Sequence, residues 1–134
     1  MDSSFRPVLS LGEKLVPGDD EHHFCMPTDI AVAKNGYFFI ADGYCNSRVL
    51  KFDPTGKLVG TFGAAVDELG SSEFVIPHSL ALIEDMNLIC VADRSVFIFK
   101  ACRIMFVDIT CRRYLDIAFD VNVELFSITN INTC

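Results

Sequence analysis

Seven consecutive residues, Asp42-Gly43-Tyr44-Cys45-Asn46-Ser47-Arg48, bring a phenol, a thiol and a guanidinium within five positions. Turn chemistry requires none of these groups, since turns draw on Gly, Pro, Asn, Asp and Ser. A phenol can exchange a proton, and a guanidinium can bond two carboxylate oxygens at once. Tyr37-Phe38-Phe39-Ile40 precedes the stretch and Val49-Leu50-Lys51-Phe52 follows it. Two β-rich runs joined by a short polar, Gly-containing connection read as a strand pair with a reactive loop at its tip.

The strands that must hold this loop can be read on both sides of it. Phe24–Val32 leads into the turn Lys34-Asn35-Gly36, and Asn-Gly is the strongest short hairpin signal. Tyr37–Ala41, Arg48–Asp53 and Lys57–Phe62 complete four short strands, with Pro54-Thr55-Gly56 as a second tight turn. The pattern then returns. Pro77-His78-Ser79-Leu80-Ala81-Leu82 matches Pro27-Thr28-Asp29-Ile30-Ala31-Val32 at an offset of 50, and Leu88–Asp93 matches Tyr37–Asp42 at an offset of 51. Glu84-Asp85-Met86-Asn87 takes the place of the Asn-Gly turn, and the extra length falls in the polar loop Ala64–Glu73. A period of this size with four strands per unit is the signature of a β-propeller blade. Only about two blades are present, against the roughly four to eight of a closed propeller. The expected fold is therefore all-β, an incomplete propeller.

Residues 1–23 form a leading segment in which Pro7-Val8-Leu9-Ser10-Leu11 reads as one further strand and Pro17-Gly18-Asp19-Asp20 as a turn. His22 and His23 close it. Strand alternation points neighbouring side chains opposite ways, which favours a solvated pair over a metal site. The two blades occupy residues 24–94. Beyond Arg94 the grammar changes: all eight glycines lie at or before Gly70, and the last proline is Pro77. Val96–Phe99, Ile104–Val107 and Val121–Ile128 are β-prone, low in charge and unbroken, which is an aggregation profile. Residues 95–134 are set apart as a divergent tail, either strands that patch an open blade edge or sequence foreign to the domain.

A chain of 134 residues is enough for one domain with a core, or for part of a larger one. A hydrophobic content of 51% and a mean hydropathy of +0.35 exclude a disordered chain. The net charge of −7 argues against nucleic acid, because phosphate binding needs a basic footprint. The acidic excess lies in residues 1–94, with 14 acidic and 7 basic side chains, whereas residues 95–134 hold 4 of each. No run approaches the roughly 18 apolar residues of a membrane span. Met1–Arg6 has no basic region followed by an apolar core, so no signal peptide is visible. The six cysteines include no CxxC pair, which weighs against a zinc ribbon or a thioredoxin site. Buried thiols and extracellular disulfides both remain open.

Four stretches together are specific. Phe24-Cys25-Met26-Pro27-Thr28-Asp29, Asp42–Arg48, Pro77–Leu82 and Cys90-Val91-Ala92-Asp93-Arg94 closely resemble peptidyl-α-hydroxyglycine α-amidating lyase, the lyase domain of the peptide-amidating monooxygenase. The resemblance covers roughly Pro7 to Arg94 and stops before the tail. It implies a six-bladed propeller of NHL-type repeats, of which about two blades are in hand. It also implies cleavage of the N–Cα bond of a peptide ending in α-hydroxyglycine, giving a peptide amide and glyoxylate. By motif, Tyr44 would be the general base, His78 one ligand of a zinc ion, and Arg94 a substrate-site cation beside Tyr44. A phenol with its ordinary pKa of about 10 needs a nearby cation to act as a base at neutral pH. Zinc and Arg94 are the candidates. The resemblance further implies a Cys25–Cys45 disulfide, a second bridge from Cys90 to which Cys102 is suitably spaced, structural calcium with no identifiable ligands, and work in the secretory pathway. A monooxygenase domain or partner accompanies the lyase in some members.

A three-histidine zinc site needs two more histidines at blade starts, and His22 and His23 are not in that context. The expectation is a partial lyase with little or no activity by itself. The alternatives are an NHL-repeat protein-binding scaffold and a non-functional truncated isoform. The charge weighs against an RNA scaffold, and the Tyr44 loop weighs against a generic one.

Overall fold

The computed structural model describes residue 4, residues 6–63 and 74–94, and the backbone of residues 102–108, 114–119 and 125–131. The Ala64–Glu73 loop and the Val96–Phe99 run lie outside the described residues. Four strands, β1 (Asp29–Val32), β2 (Phe38–Asp42), β3 (Arg48–Phe52) and β4 (Leu58–Phe62), form an antiparallel sheet in chain order. Its two outer turns share one construction. Gly36 (φ 87°) and Gly56 (φ 88°) take the left-handed position after a turn begun at Ala33 and Asp53, whose carbonyls accept the glycine N–H at 2.9 and 3.0 Å. That is the type I turn plus left-handed residue of a three-residue hairpin, and glycine is the residue that enters it without strain. The Asp53 carboxylate accepts the Thr55 and Lys57 N–H groups at 2.8 and 3.0 Å and fixes the second turn.

The second sheet is an antiparallel meander of five strands, β5 (Pro77–Ile83), β6 (Leu88–Arg94), β7 (Cys102–Asp108), β8 (Tyr114–Phe119) and β9 (Leu125–Ile131). A single 3-10 turn, Glu84–Met86, replaces the Asn-Gly hairpin and ends at Asn87 in the left-handed region (φ 56°). The tail thus continues the sheet from the free edge of β6. The β8 segment carried no expectation, and β9 ends three residues beyond the expected Val121–Ile128 run.

Both faces of the first sheet are covered. On one, Phe39, Val49 and Phe62 pack with Phe74, Ile89 and Val91 and with the half-buried Leu80 and Leu82, forming the core between the sheets. On the other, Phe38, Leu50 and Phe52 are covered by Leu11 of the leading segment and by Phe24 directly after it. Phe38 and Phe52 stack at 5.2 Å, and Phe24 tilts onto Phe52 at 6.2 Å. At about 1.5–3 kcal/mol for each fully buried side chain of this size, these two clusters hold the sheet in place. This corrects the strand expected at Pro7–Leu11. No ladder forms there: Pro7 has no N–H to donate, Gly12 bends the chain (φ 77°), and Leu11 is used to cover an apolar face.

Candidate active site

Tyr44 stands on the loop between β2 and β3, held from three directions. Beneath it, Asp42 and Arg48 are paired across the ladder. The fully buried Asp42 carboxylate accepts the Cys25 N–H at 2.8 Å, the Asn46 side-chain amide at 2.7 Å and Arg48 Nε at 2.9 Å. Arg48 in turn donates to the carbonyls of Asp19, Asp20 (3.1 Å) and His23 (2.9 Å), and Asn46 donates to Gly18 O at 2.8 Å. The leading segment and the loop are therefore bound to the same buried ion pair. To one side, Cys25 and Cys45 form a disulfide across 20 residues, with Cα atoms 5.4 Å apart, as the resemblance implied. Toward the second sheet, Ser47 Oγ donates to Val75 O and Thr28 Oγ1 to Pro77 O, both at 2.8 Å. Gly43 sits where the sheets touch: a Cβ there would lie 2.2 Å from Pro77 O, so only glycine fits.

His78 and Arg94 come from the second sheet. The β5–β6 register shifts between Pro77 and Ser79, leaving His78 as the extra residue of a bulge. Bulges re-aim a side chain next to sites of this kind. The His78 ring meets the Tyr44 ring edge-on, with centroids 5.9 Å apart. Arg94 ends β6, its N–H donated to Ile76 O at 2.8 Å, and its Nη1 lies 3.4 Å from the Tyr44 hydroxyl. Before it, the fully buried Asp93 accepts the Val75 and Ile76 N–H groups at 2.8 and 2.6 Å. Tyr44 is 44% exposed and Arg94 is exposed, so a ligand can reach both. A phenol, a guanidinium and an imidazole from two sheets thus share one mouth, an arrangement suited to anchoring a carboxylate while a proton moves nearby.

Other expected positions fall elsewhere. His22 is exposed beside Glu21, while the His23 ring turns to the Asp20 carboxylate at 2.8 Å, so the pair does not converge. Among the described residues no group of three or more His, Cys, Asp or Glu side chains could hold a metal ion. The Cys90–Cys102 bridge is not what the ladder prepares. Cys90 is paired with Phe106 and Cys102 with Arg94, four residues or about 14 Å along the strand at the usual rise. A disulfide spans about 4.4–6.8 Å between Cα atoms. Residue-type reasoning missed Asp42, Asn46, Arg48 and Asp93 as the groups that hold the site. The signal was present in the 51-residue offset that superposes Asp42 on Asp93.

Two meandering sheets packed face to face, each with a buried aspartate at or next to the end of its second strand, define part of an NHL-repeat β-propeller, and residues 24–52 match the NHL repeat. Over 88 residues the chain is 68% identical to a probable peptidyl-alpha-hydroxyglycine alpha-amidating lyase of Caenorhabditis elegans, covering 66% of this chain and 25% of that one. It is 47% identical over 92 residues to peptidyl-alpha-hydroxyglycine alpha-amidating lyase 2 of Drosophila melanogaster, covering 69% of this chain and 22% of the fly protein. Against the peptidyl-glycine alpha-amidating monooxygenase of Mus musculus the identity is 48% over 94 residues, 66% of this chain and 9% of the mouse protein. Over the matched residues the chain belongs with the lyase domain of the peptide-amidating enzymes, of which it carries a part. It spans about a quarter of the length of the worm relative.

Proposed function

We propose that Tyr44, Arg94 and His78 are part of a site that cleaves peptides ending in α-hydroxyglycine to a peptide amide and glyoxylate. The observation that carries this reading is the 3.4 Å approach of Arg94 Nη1 to the Tyr44 hydroxyl, with the His78 ring against Tyr44. The Arg94 guanidinium binds the terminal carboxylate in a forked, charge-assisted contact. Tyr44, as the phenolate, takes the proton of the α-hydroxyl group. The electron pair released from that O–H bond becomes the second bond of the glyoxylate carbonyl as N–Cα breaks. The amide nitrogen leaves with the N–Cα pair and takes back the proton from Tyr44, so the base is regenerated.

Zinc, when bound, would supply a Lewis acid for the hydroxyl oxygen, and His78 would be one of its ligands. One imidazole does not make a three-histidine cage. The described residues alone do not fit the ion, and the remaining ligands must come from elsewhere. Work in the secretory pathway is supported by the Cys25–Cys45 disulfide, which persists in oxidising compartments. Among the described residues no helix is long and apolar enough to cross a membrane. A mouse relative named as a monooxygenase supports a monooxygenase domain or partner acting on the same peptides.

The test is to titrate the chain with a peptide ending in α-hydroxyglycine, with zinc present, following tyrosine and arginine NMR signals together with glyoxylate release. Binding is expected at Tyr44 and Arg94, with little or no turnover. Arg94→Ala should weaken binding by about tenfold or more, the value of one charge-assisted contact. Tyr44→Phe should remove whatever turnover exists and leave binding largely intact. A peptide that perturbs neither residue would remove the reading.

A further inference from the structure

The bulge that re-aims His78 also deprives it of a ladder partner. On β6, Asp93 faces Pro77 and Ala92 faces Ser79, so the residue between them is left unpaired. The ladder that orients Arg94 therefore does not orient the imidazole. A bulged side chain points where the flanking backbone turns it. The groups that grip Pro77 and Leu80 then decide where the His78 ring lies.

Two neighbouring side chains of the first sheet supply that grip, one on each side of the bulge. β1 and β5 are edge strands of different sheets, so side chains make the bonds between them. Before the bulge, Thr28 Oγ1 donates to Pro77 O at 2.8 Å and lies 3.2 Å from Ala41 O. A hydroxyl has one proton to give, and the shorter contact is the one across the sheets. After the bulge, Asp29 Oδ2 accepts the Leu80 N–H at 2.8 Å, while Oδ1 accepts the Ile30 N–H at 2.8 Å. Thr28 and Asp29 are half-buried, and Pro77 is fully buried. The Pro77 carbonyl also lies against Gly43, where a Cβ would come within 2.2 Å of its oxygen. Gly43 precedes Tyr44 as Pro77 precedes His78. Thr28 thus secures the contact between the two backbones from which the phenol and the imidazole branch.

The repeat shows how the task is divided. At the 50-residue offset Thr28 superposes on His78 and Asp29 on Ser79. One position of the unit carries a fastening hydroxyl in the first sheet and an imidazole in the second. We propose that Thr28 and Asp29 are positioning residues that hold the His78 ring against Tyr44, a role that deepens the lyase reading and rests on it. Both act through the backbone on either side of His78.

Two-dimensional NMR of the full chain tests this role. His78 is one of three histidines, and its ring centroid lies 5.9 Å from that of Tyr44, so cross-peaks between the rings are expected. Thr28→Val keeps the β-branched shape and removes the donor, and Asp29→Ala removes the acceptor. Each should weaken the Tyr44–His78 cross-peaks several-fold and leave the His22 and His23 signals in place. Thr28→Ser returns the hydroxyl and should return the cross-peaks, which a loss of general packing would not do. Exchange of the Leu80 amide in the parent chain needs no variant. Slow exchange is expected of an N–H held by Asp29, and exchange at the rate of an open edge would overturn the clamp. Unchanged ring contact in Thr28→Val and Asp29→Ala would overturn the positioning role. A parent chain with the ring contact, but with no response of Tyr44 or Arg94 to an α-hydroxyglycine peptide, would overturn the lyase reading and leave the ring-holding role standing.

Discussion

In the first sheet the residue before the reactive loop, Asp42, is a fully buried carboxylate serving a backbone N–H, an amide and a guanidinium. In the second, Asp93 is equally buried and occupies the equivalent position before Arg94, but serves two backbone N–H groups. Both aspartates bind the segment that leads into their own sheet, through Cys25 in one case and Val75 and Ile76 in the other. The repeat has conserved the anchoring of that segment within one chain and varied everything else. Among the described residues the first sheet adds Arg48, Asn46 and a disulfide, and it carries its reactive group on a loop rather than at a strand end. Arg94 is oriented by the β6 ladder itself. Tyr44, two residues past the end of β2 and four before the start of β3, needs separate fastening.

The largest effects should separate the two aspartates. Asp42→Asn leaves the Arg48 guanidinium, which is 6% exposed, without its counter-charge. Removing one partner of a buried pair costs about 3–5 kcal/mol, a large part of the 5–15 kcal/mol typical of a domain. Asp93→Asn keeps one carbonyl acceptor and strands one backbone N–H, at about 1–3 kcal/mol. Urea denaturation of the two variants reads the difference directly. Equal losses would mean that Arg48 finds enough compensation in the carbonyls of the leading segment.

Smaller and more local is the disulfide. Replacing Cys25 and Cys45 together by serine releases a 20-residue loop, worth about 3 kcal/mol in the loop-entropy model. Amide exchange should accelerate in β2, β3 and the Tyr44 loop and change less in β5 and β6. Uniform acceleration across both sheets would show that they open as one unit.

Much of this architecture was legible in the sequence because the forces behind it are local. Asn35-Gly36 and Thr55-Gly56 announce hairpins since few residues other than glycine enter the left-handed region cheaply, and alternation within β2 and β3 marks the faces. The Tyr44 loop stood out because its residue types exceed what a turn requires. What stayed hidden depends on packing between segments distant in sequence. Pro7–Leu11 has strand composition but finds no ladder, and Leu11 is drawn instead to Phe38 and Phe52. The bulge at His78 arises from pairing with Ala92 and Asp93, which no single segment encodes. Cys90 and Cys102 are suitably spaced along the chain, yet the register sets them four residues apart. The buried roles of Asp42 and Asp93 were visible only as a repeated letter.

The smallest effects concern two aspartates of the first half, the exposed Asp20 and the half-buried Asp53, and they test whether the leading segment behaves as part of the first sheet. Asp20 is held below the ordinary carboxylate value, first by the His22 backbone N–H and then by the His23 ring. Asp53 is held low first by the Thr55 hydroxyl and then by the Lys57 N–H. A carboxylate whose folded pKa is depressed stabilises the fold above its unfolded pKa and loses that contribution as the pH falls through the folded one. Asp20→Asn and Asp53→Asn should therefore each lower the urea midpoint slightly at neutral pH. The gap from the parent chain should close as the pH falls below the ordinary carboxylate value of 3.8 toward the depressed pKa. Added salt should shrink the ionic part of the Asp20 gap more than the hydrogen-bonded Asp53 gap. If Asp20→Asn shifts the midpoint as Asp53→Asn does, the leading segment unfolds with the sheet it covers. No shift at Asp20, with exchange at Leu11 and Phe24 accelerated, would make it a separately opening cover over the Phe38–Phe52 face.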